Sequence, residues 1–317
     1  MAEQLVGGQA LIDGVMIRRG QRWAAASRLE DGSLVTAIRT VPLALAPVRG
    51  VPVIRGIGAL IDSLRVGAAA MRWSGDQRGD SPVRTTRDRL VVVGVVGIVV
   101  ATFLLVPLSI GARVSSATGW SWMLGPVEGV VRLGFFVAYL AMLSRLPGVR
   151  STLEYHGAEH MTIAAHEHGR ARGVRAVREF SVRHPRCGTD FFLLIFAVSI
   201  VVFSLVGTLP AGWLVVSRVL GLPVIVGISY EILRAGGQHS LLARPGLFLQ
   251  RFTTAEPTDA QIEVALAALI ALLGDEFPVG DGLLAPEATQ PVGLNPLSTA
   301  AKIEVSTLPP ESTTATR

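Results

Sequence analysis

The sequence predicts an α-helical integral membrane protein with four transmembrane helices, a small α+β cytoplasmic N-terminal region and a cytoplasmic central loop. The mean hydropathy of +0.49 is high for an ordinary soluble enzyme. Four apolar stretches explain this value, and each is close to the roughly 20 residues that cross a bilayer core. The predicted spans are Leu90–Ile110, about Leu124–Leu143, Phe191–Leu209 and Gly212–Leu233. Buried helices of a soluble core would not require an uninterrupted apolar run such as residues 90–106.

Arginine determines the predicted orientation. The basic residues crowd the start of the first span and the 147–190 loop: Arg78, Arg84, Arg87, Arg89, Arg150, Arg170, Arg172, Arg175, Arg178, Arg183 and Arg186. In the other two connections the only basic residue is Arg113. Because positive residues stay on the cytoplasmic side, both termini and the 147–190 loop are predicted to be cytoplasmic in a multi-pass protein of the cell membrane. These flanks account for the net charge of +5, which does not require nucleic acid as a partner.

The N-terminal region, residues 1–50, is predicted to contain a β-hairpin, with strands over residues 5–41. Three segments have the pattern: Ala10–Arg18, Trp23–Leu29 and Ser33–Val41. Asp31-Gly32 separates the last two segments and is a strong hairpin signal. Asp13, alone in the first apolar run, is expected in a turn or at an edge, although it could supply a carboxylate to a site.

Residues 51–75 change to a helical period. Apolar side chains recur at steps of three and four, at Ile54, Ile57, Ile61, Leu64, Ala68 and Met71. Arg55, Asp62, Arg65 and Arg72 occupy the other face. This amphipathic pattern is compatible with a helix in the membrane interface and equally with a helix that packs on the N-terminal domain.

The 147–190 loop carries a candidate metal site. In a helix, His156 and His160 are one turn apart on a single face, which is the spacing that places two imidazoles on one ion. His184 and Cys187 form a His-x2-Cys turn later in the loop. By type and number these four side chains complete a tetrahedral site, most simply for zinc, although another divalent metal would fit.

Glu159 adds a group that a purely structural site does not need. The order His-x-x-Glu-His is the inverted zincin pattern, in which the carboxylate beside the second ligand acts as a general base. Glu159 is therefore the predicted catalytic residue. The lone Cys187 is compatible with a reducing compartment, because one thiol cannot form an internal disulfide.

The helix that carries the two histidines has its own predicted boundaries. Ser151 and Glu154 have the spacing of a capping box, which predicts that the helix begins near Thr152 and ends near Gly169. His166 and His168 in its last turn are expected at the surface.

Three charged residues fall within the predicted spans. Glu128 and Arg132 stand one helical turn apart in the second span and can form an ion pair, and Arg218 lies in the fourth. Charges inside a bilayer usually face the bundle interior and find partners. They indicate either a clamp between helices or a polar path or lipid headgroup site. Glu231, with Tyr230, lies at the cytoplasmic end of the fourth span and could reach the metal site.

Residues 234–277 are predicted to form a cytoplasmic loop and a helix. Thr258 caps a helix through Leu273 that is too short to span a membrane, so it should dock on the membrane or on the cytoplasmic domain. His239 in the loop is a further candidate ligand. Residues 278–317, rich in Pro, Thr, Ser and Ala, are expected to be disordered.

Five motifs carry a resemblance to a known family: Val6–Met16, Tyr155–His160, His184–Thr189, Ser229–Glu231 and Pro245–Gln250. They resemble the YqhQ-like bacterial membrane proteins, a family of unassigned function that is sometimes described as predicted metal-dependent enzymes. The resemblance covers about residues 5–275. It departs from the family where Arg19-Gly20 replaces Gly-Pro, Met161 replaces Lys and Asp190 replaces Ser, and none of these changes removes a proposed ligand. It implies a membrane protein with a metal site, and it supplies no catalytic residue and no reaction.

Two functions from different classes are compatible with these features. In the first, the protein is a membrane-embedded zinc-dependent hydrolase with its site at the cytoplasmic face. His156, His160 and either His184 or Cys187 bind the metal, and Glu159 takes a proton from water. The substrate is then a peptide or a lipid-linked ester. In the second, all four ligands close the coordination sphere, and the protein is a membrane scaffold or interaction protein with a structural site. Four good ligands favour the second function and Glu159 favours the first. A transport role is a third, weaker alternative.

Overall fold

The computed structural model describes residues 6–45, 47, 50–77, 86–185, 187–236, 243–274 and 301–303. These residues form a bundle of long apolar helices and a domain in which helices cover both faces of an antiparallel sheet. The strands are β1 Val6–Leu11, β2 Gly14–Arg19, β3 Arg22–Arg28, β4 Leu34–Thr40 and the short β5 Ala301–Ile303. The helices are α1 Ile54–Gln77, α2 Thr86–Thr118, α3 Leu124–Leu143, α4 Pro147–Glu167, α5 Val174–Arg178, α6 Gly188–Val206, α7 Ala211–Gly236, α8 Ala243–Thr253 and α9 Asp259–Leu273.

The four N-terminal strands pair in sequence order, each antiparallel to the next. The predicted hairpin between β3 and β4 is confirmed, and Gly32 adopts a φ of +83° that favours glycine. The turn expected at Asp13 is confirmed. This residue has a φ of +49° and lies between β1 and β2, so the apolar run Ala10–Arg18 is divided between two paired strands. Of the tail predicted to be disordered, only β5 is described, and it pairs with β4.

Side chains alternate across the sheet, so each face has its own core. On one face, residues such as Ile17 and Ala24 pack against α4 and α9. On the other face, Leu11, Met16 and Trp23 pack against α1. The cap predicted for α9 is confirmed by reciprocal hydrogen bonds between Thr258 and Gln261, and α9 docks on the sheet.

The start of α4 differs from the prediction. The helix begins at Pro147, which suits a first helical turn because its φ is fixed and its nitrogen has no hydrogen to satisfy. The capping box predicted at Ser151 and Glu154 is therefore wrong, since both residues lie inside the helix. Ser151 Oγ lies 3.4 Å from Asp13 Oδ1. The Glu154 carboxylate accepts hydrogen bonds from Arg150 and, across the domain, from Gln261.

Three helices in the described part of the chain are long and apolar enough to cross a membrane. They are α2, the segment Ser121–Leu143 that contains α3, and residues Gly212–Ala235 of α7. The third predicted span, Phe191–Leu209, corresponds to α6, whose apolar part, Phe191–Val206, is shorter. The surface of α2 is largely exposed, which fits a helix that faces lipid.

The helix α6 packs antiparallel to α3 and to α7. Two glycines of α3 allow this approach: a Cβ at Gly125 would lie 2.4 Å from Ser204 Oγ, and one at Gly129 would lie 2.1 Å from Ile200 Cγ1. At the other end of α3, the ring of Phe136 lies 5.2 Å from that of Phe196.

The three charged residues of the spans form one buried cluster. Glu128 accepts from Arg132 Nη2 at 2.5 Å and from Arg218 Nη2 at 2.6 Å. Arg132 Nε also donates to the carbonyl of Phe103 in α2 at 3.3 Å, and the guanidinium of Arg218 lies 4.4 Å from the ring centroid of Phe203 in α6. The cluster thus joins α2, α3, α6 and α7, as a clamp between helices would.

We expect the double substitution Glu128→Arg with Arg132→Glu to destabilise the bundle strongly. It conserves composition and net charge, but it places a second guanidinium against Arg218, and breaking a buried pair costs about 3–5 kcal/mol. Unfolding in detergent, followed by tryptophan fluorescence, measures the loss.

The control for this swap is Arg170→Glu with Glu179→Arg, an ion pair in which each side chain is 55% exposed. Exchange of a largely exposed pair should cost less than about 1 kcal/mol. Equal stability of the two swapped proteins would contradict the clamp.

Candidate metal centre

Helix α4 presents His156 and His160 from adjacent turns, with ring centroids 4.3 Å apart. The residue between them that matters for packing is Gly157. A Cβ there would lie 2.1 Å from the carbonyl oxygen of Ala255, so only glycine allows the segment after α8 to lie this close to the helix. The segment is held by a hydrogen bond from Ala255 N to the carbonyl of Leu153.

Main-chain carbonyls orient both imidazoles. His156 Nδ1 lies 2.7 Å from the carbonyl oxygen of Thr253, and His160 Nδ1 lies 2.7 Å from that of Val182. A carbonyl oxygen can only accept, so each Nδ1 carries the hydrogen and each neutral ring has its lone pair on Nε2. This is the arrangement by which metal-binding histidines are usually oriented.

Cys187 supplies the third group. It is the N-cap residue of α6, and its Sγ lies 3.6 Å from His156 Nε2. One ligand atom from each of His156, His160 and Cys187 lies within 4.8 Å of the others. Tetrahedral zinc, with bonds of about 2.3 Å to sulfur and 2.0–2.1 Å to nitrogen, would separate such atoms by roughly 3.5 Å. The donor set and spacing therefore fit a metal, and the helix N-terminus favours the thiolate that would bind it.

Glu159 faces the same centre from the interior. Its Oε2 lies 3.7 Å from His160 Nε2 and 3.9 Å from His156 Nε2, and its side chain is only 5% exposed. Burial raises the pKa of Glu159 to about 8, an effect that the neighbouring His156 partly opposes. The backbone of β1 closes one side, because a Cβ at Gly8 would lie 2.5 Å from Glu159 Oε1.

Burial also affects the histidines. It lowers the pKa of His160 to about 3, with a smaller contribution from His156, and it lowers the pKa of His184. His160 is therefore neutral at physiological pH, the form in which imidazole binds a metal.

The structure brings together three of the four predicted ligands and the predicted base. His184 lies outside the group of three: its Nε2 is 3.3 Å from Glu167 Oε2, and its ring centroid is 5.8 Å from that of His160. Glu231 contacts Arg55 rather than this centre. His239, the further candidate, lies outside the described residues.

The role of α8 was not predicted from the sequence. The buried Gln250 binds the backbone of His184 twice: its Oε1 accepts from His184 N at 2.9 Å, and its Nε2 donates to the His184 carbonyl at 2.8 Å. Three residues on, Thr253 provides the carbonyl that orients His156. The same helix thus holds the turn that leads to Cys187 and one of the histidines. The Pro245–Gln250 motif was the available signal, but none of its residues is a candidate ligand.

We expect the stability of the metal-free protein to fall between pH 6.5 and pH 8. The folded state keeps the Glu159 proton up to a pKa of about 8, whereas an ordinary carboxyl of pKa 4.5 has lost it. The folded state therefore binds more protons in this range, and stability decreases by roughly 2 kcal/mol at most as pH rises. Denaturation in chelator buffers measures the slope. Below pH 6.5 the low pKa of His160 acts in the opposite direction, so the test is confined to the upper range.

The Glu159→Gln variant should lose most of this slope, because its amide does not titrate. Glu167→Gln, a less buried carboxylate beside His184, should keep it. An unchanged slope in Glu159→Gln would show that another group is responsible.

We expect Gln250→Ala to weaken metal binding by about 10- to 100-fold, the usual cost of removing a group that positions a ligand. Titration with Co²⁺, whose thiolate charge-transfer absorption reports the Cys187 bond, measures the change. Gln261→Ala, which removes the cap of α9 instead, is the control. Equal affinities of the two variants would contradict a positioning role for Gln250.

Comparisons with known proteins identify the family to which the chain belongs. Residues 51–275 match a family described as "Protein of unknown function (DUF1385)". The chain is 31% identical over 291 residues to "Uncharacterized protein YqhQ" of Bacillus subtilis (strain 168). The aligned region covers 84% of this chain and 92% of that protein. No solved structure matches the chain. The chain therefore belongs to the YqhQ-like family, whose function is unassigned.

Proposed function

We propose that this protein is a metal-dependent hydrolase embedded in the membrane. The observation that carries the proposal is the position of Glu159, a buried carboxylate whose Oε2 lies within 4 Å of the Nε2 atoms of both histidines. The Glu159 carboxylate lies on the Nε2 side of both imidazole rings, where the metal would bind, and not on the Nδ1 side, which contacts main-chain carbonyls. It is therefore placed to act on a molecule bound at the centre.

The proposed ligands are His156, His160 and Cys187. Two imidazoles and a thiolate suit zinc best among the common divalent metals, and three protein ligands are the number that catalytic zinc sites usually have. Bound there, zinc would lower the pKa of a water molecule and polarise a substrate carbonyl.

Glu159 is proposed as the general base. It would take a proton from the attacking water and return it to the amine or alcohol that leaves when the carbonyl carbon's bond to nitrogen or oxygen breaks. Its buried surroundings favour proton transfer near neutral pH, because burial raises its pKa toward that range. Gln250 and the Thr253 carbonyl would hold the ligands in place.

The proposed substrate is a peptide or a lipid-linked ester reached at the cytoplasmic face. The location of the centre supports this choice, because Cys187 directly precedes α6, and α8, which carries Gln250 and Thr253, packs against α3 and α6. A substrate held near the membrane would reach the centre at the junction of the bundle and the sheet domain.

We also propose that α6 is a fourth span and that both termini are cytoplasmic. Contacts along α6 support the first point: Ser204 lies against Gly125 near one end of α3, and Phe196 lies beside Phe136 toward the other. The arginine distribution supports the second. Among the described basic residues, Arg87 and Arg89 lie in the first turn of α2, and the basic 147–190 loop connects α3 to α6.

A structural metal site in a membrane scaffold is the second candidate. The observation that favours it is the convergence of three segments, since the cluster joins α4 to the His184–Cys187 turn and to the first residues of α6. With His184 as a fourth ligand the site would be closed, but its ring would first have to leave Glu167.

Glu159→Gln and His156→Ala distinguish the two functions. If Glu159 is the base, Glu159→Gln should retain the fold and the metal but lose about 10²- to 10⁴-fold in rate. His156→Ala should lose the metal as well. Metal content is measured by elemental analysis of the protein in nanodiscs, and hydrolysis with a panel of fluorogenic peptides and acyl esters.

Glu167→Gln and His168→Ala serve as matched controls, since neither residue belongs to the group of three. Full function of Glu159→Gln in cells, together with unfolding of His156→Ala, would overturn the catalytic proposal and leave the structural one.

A further inference from the structure

Helix α1 has two apolar faces, and only one of them is covered. The covered face packs on the sheet through small and aromatic residues that include Gly67, Ala70 and Trp73. The other face carries the larger aliphatic side chains: Leu64 is 63% exposed, and Ile54 and Met71 are 37% and 36% exposed.

Helical geometry places these two faces on opposite sides. Residues two apart in an α-helix point about 160° away from each other. Leu64 is two residues before the buried Val66, and Met71 is two residues before the buried Trp73. The apolar residues on this side therefore form a continuous stripe that points away from the sheet, with Ile57 and Ile61 partly buried and the others exposed. The stripe is defined by Ile54, Ile57, Ile61, Leu64, Ala68 and Met71.

This arrangement is the reverse of that in an ordinary surface helix, which buries its large apolar residues and exposes its polar ones. Exposed arginines border the stripe: Arg65 and Arg72 lie at its edge. A large apolar face with a basic margin is typical of a helix that lies in the membrane interface.

The start of α1 is fastened to a membrane helix. Glu231, near the end of α7, accepts hydrogen bonds from Val53 N at 3.2 Å and from Arg55 Nε at 2.7 Å. Glycine in α7 allows the backbones to approach closely, because a Cβ at Gly227 would lie 2.6 Å from the carbonyl oxygen of Val53. The stripe therefore begins beside the last turns of a candidate span, where lipid headgroups would surround it.

We propose that the stripe of α1 lies in the headgroup region of the leaflet beside the C-terminal end of α7, with Arg65 and Arg72 bound to anionic lipid phosphates. The sheet domain would then be held against the membrane by a face that is independent of the metal centre. The lipid bilayer is favoured over a second protein chain because the stripe continues from a membrane helix and its margin is basic.

The test uses a nitroxide attached to a ketone-bearing amino acid, which avoids Cys187. The label is placed at Leu64 or Met71 of the full chain in nanodiscs that contain phosphatidylglycerol. We expect it to be accessible to oxygen, protected from a water-soluble nickel chelate, and about 5–10 Å below the phosphates. A label at Ser63, exposed but off the stripe, is the control and should be open to the nickel chelate.

Each alternative has its own signature. If the label at Leu64 is as accessible to the nickel chelate as the control label at Ser63, the stripe faces water. If the label at Leu64 is protected from both oxygen and the nickel chelate, a second protein chain covers the stripe. Either result overturns the proposal. In the unsubstituted protein, the label at Leu64 should lie deeper in nanodiscs that contain phosphatidylglycerol than in nanodiscs of phosphatidylcholine alone. The variant Arg65→Gln with Arg72→Gln should lose this difference in depth. An increase that persists in this variant would overturn the role of the two arginines.

Discussion

The hydrogen bonds from two imidazole Nδ1 atoms to main-chain carbonyls are the constraint on which the metal centre depends. The carbonyls belong to Thr253, at the end of α8, and to Val182, in the loop before α6. Both segments also contact the bundle or lead into it, so the direction of each ring is tied to the position of the sheet domain on the membrane helices. Cys187 completes the group because Gln250 holds the turn in which it lies.

The sequence predicts the identity of the candidate site better than its arrangement. Helical periodicity alone brings His156 and His160 together, and it places Glu159 near their shared face. Spacing could not determine the direction of the His184 ring, which depends on Glu167, a residue 17 positions earlier. It also could not reveal Gly8, whose missing side chain leaves room for the Glu159 carboxylate, because β1 and α4 are distant in sequence.

The fold shows the same division between local pattern and tertiary context. The β3–β4 hairpin and the cap of α9 are local signals, and both were predicted. The capping box at Ser151 was not used, because Pro147 allows the helix to begin a turn earlier. For α1 the period correctly identifies an apolar stripe, but a period cannot say what covers it, and the small residues on the opposite side are those that fit the sheet.

The two buried glutamates, Glu128 and Glu159, have opposite surroundings in the part of the chain that the structure describes. Glu128 lies between two guanidiniums, so its charge is compensated. Through these two arginines the cluster joins four helices. Glu159 has no such partner among the described residues, and burial raises its pKa. An uncompensated buried carboxyl lowers stability, and a structural zinc site would need no such group beside its ligands. A cation held by His156, His160 and Cys187 would reverse the penalty by favouring the ionised carboxylate, which is the form that a general base requires.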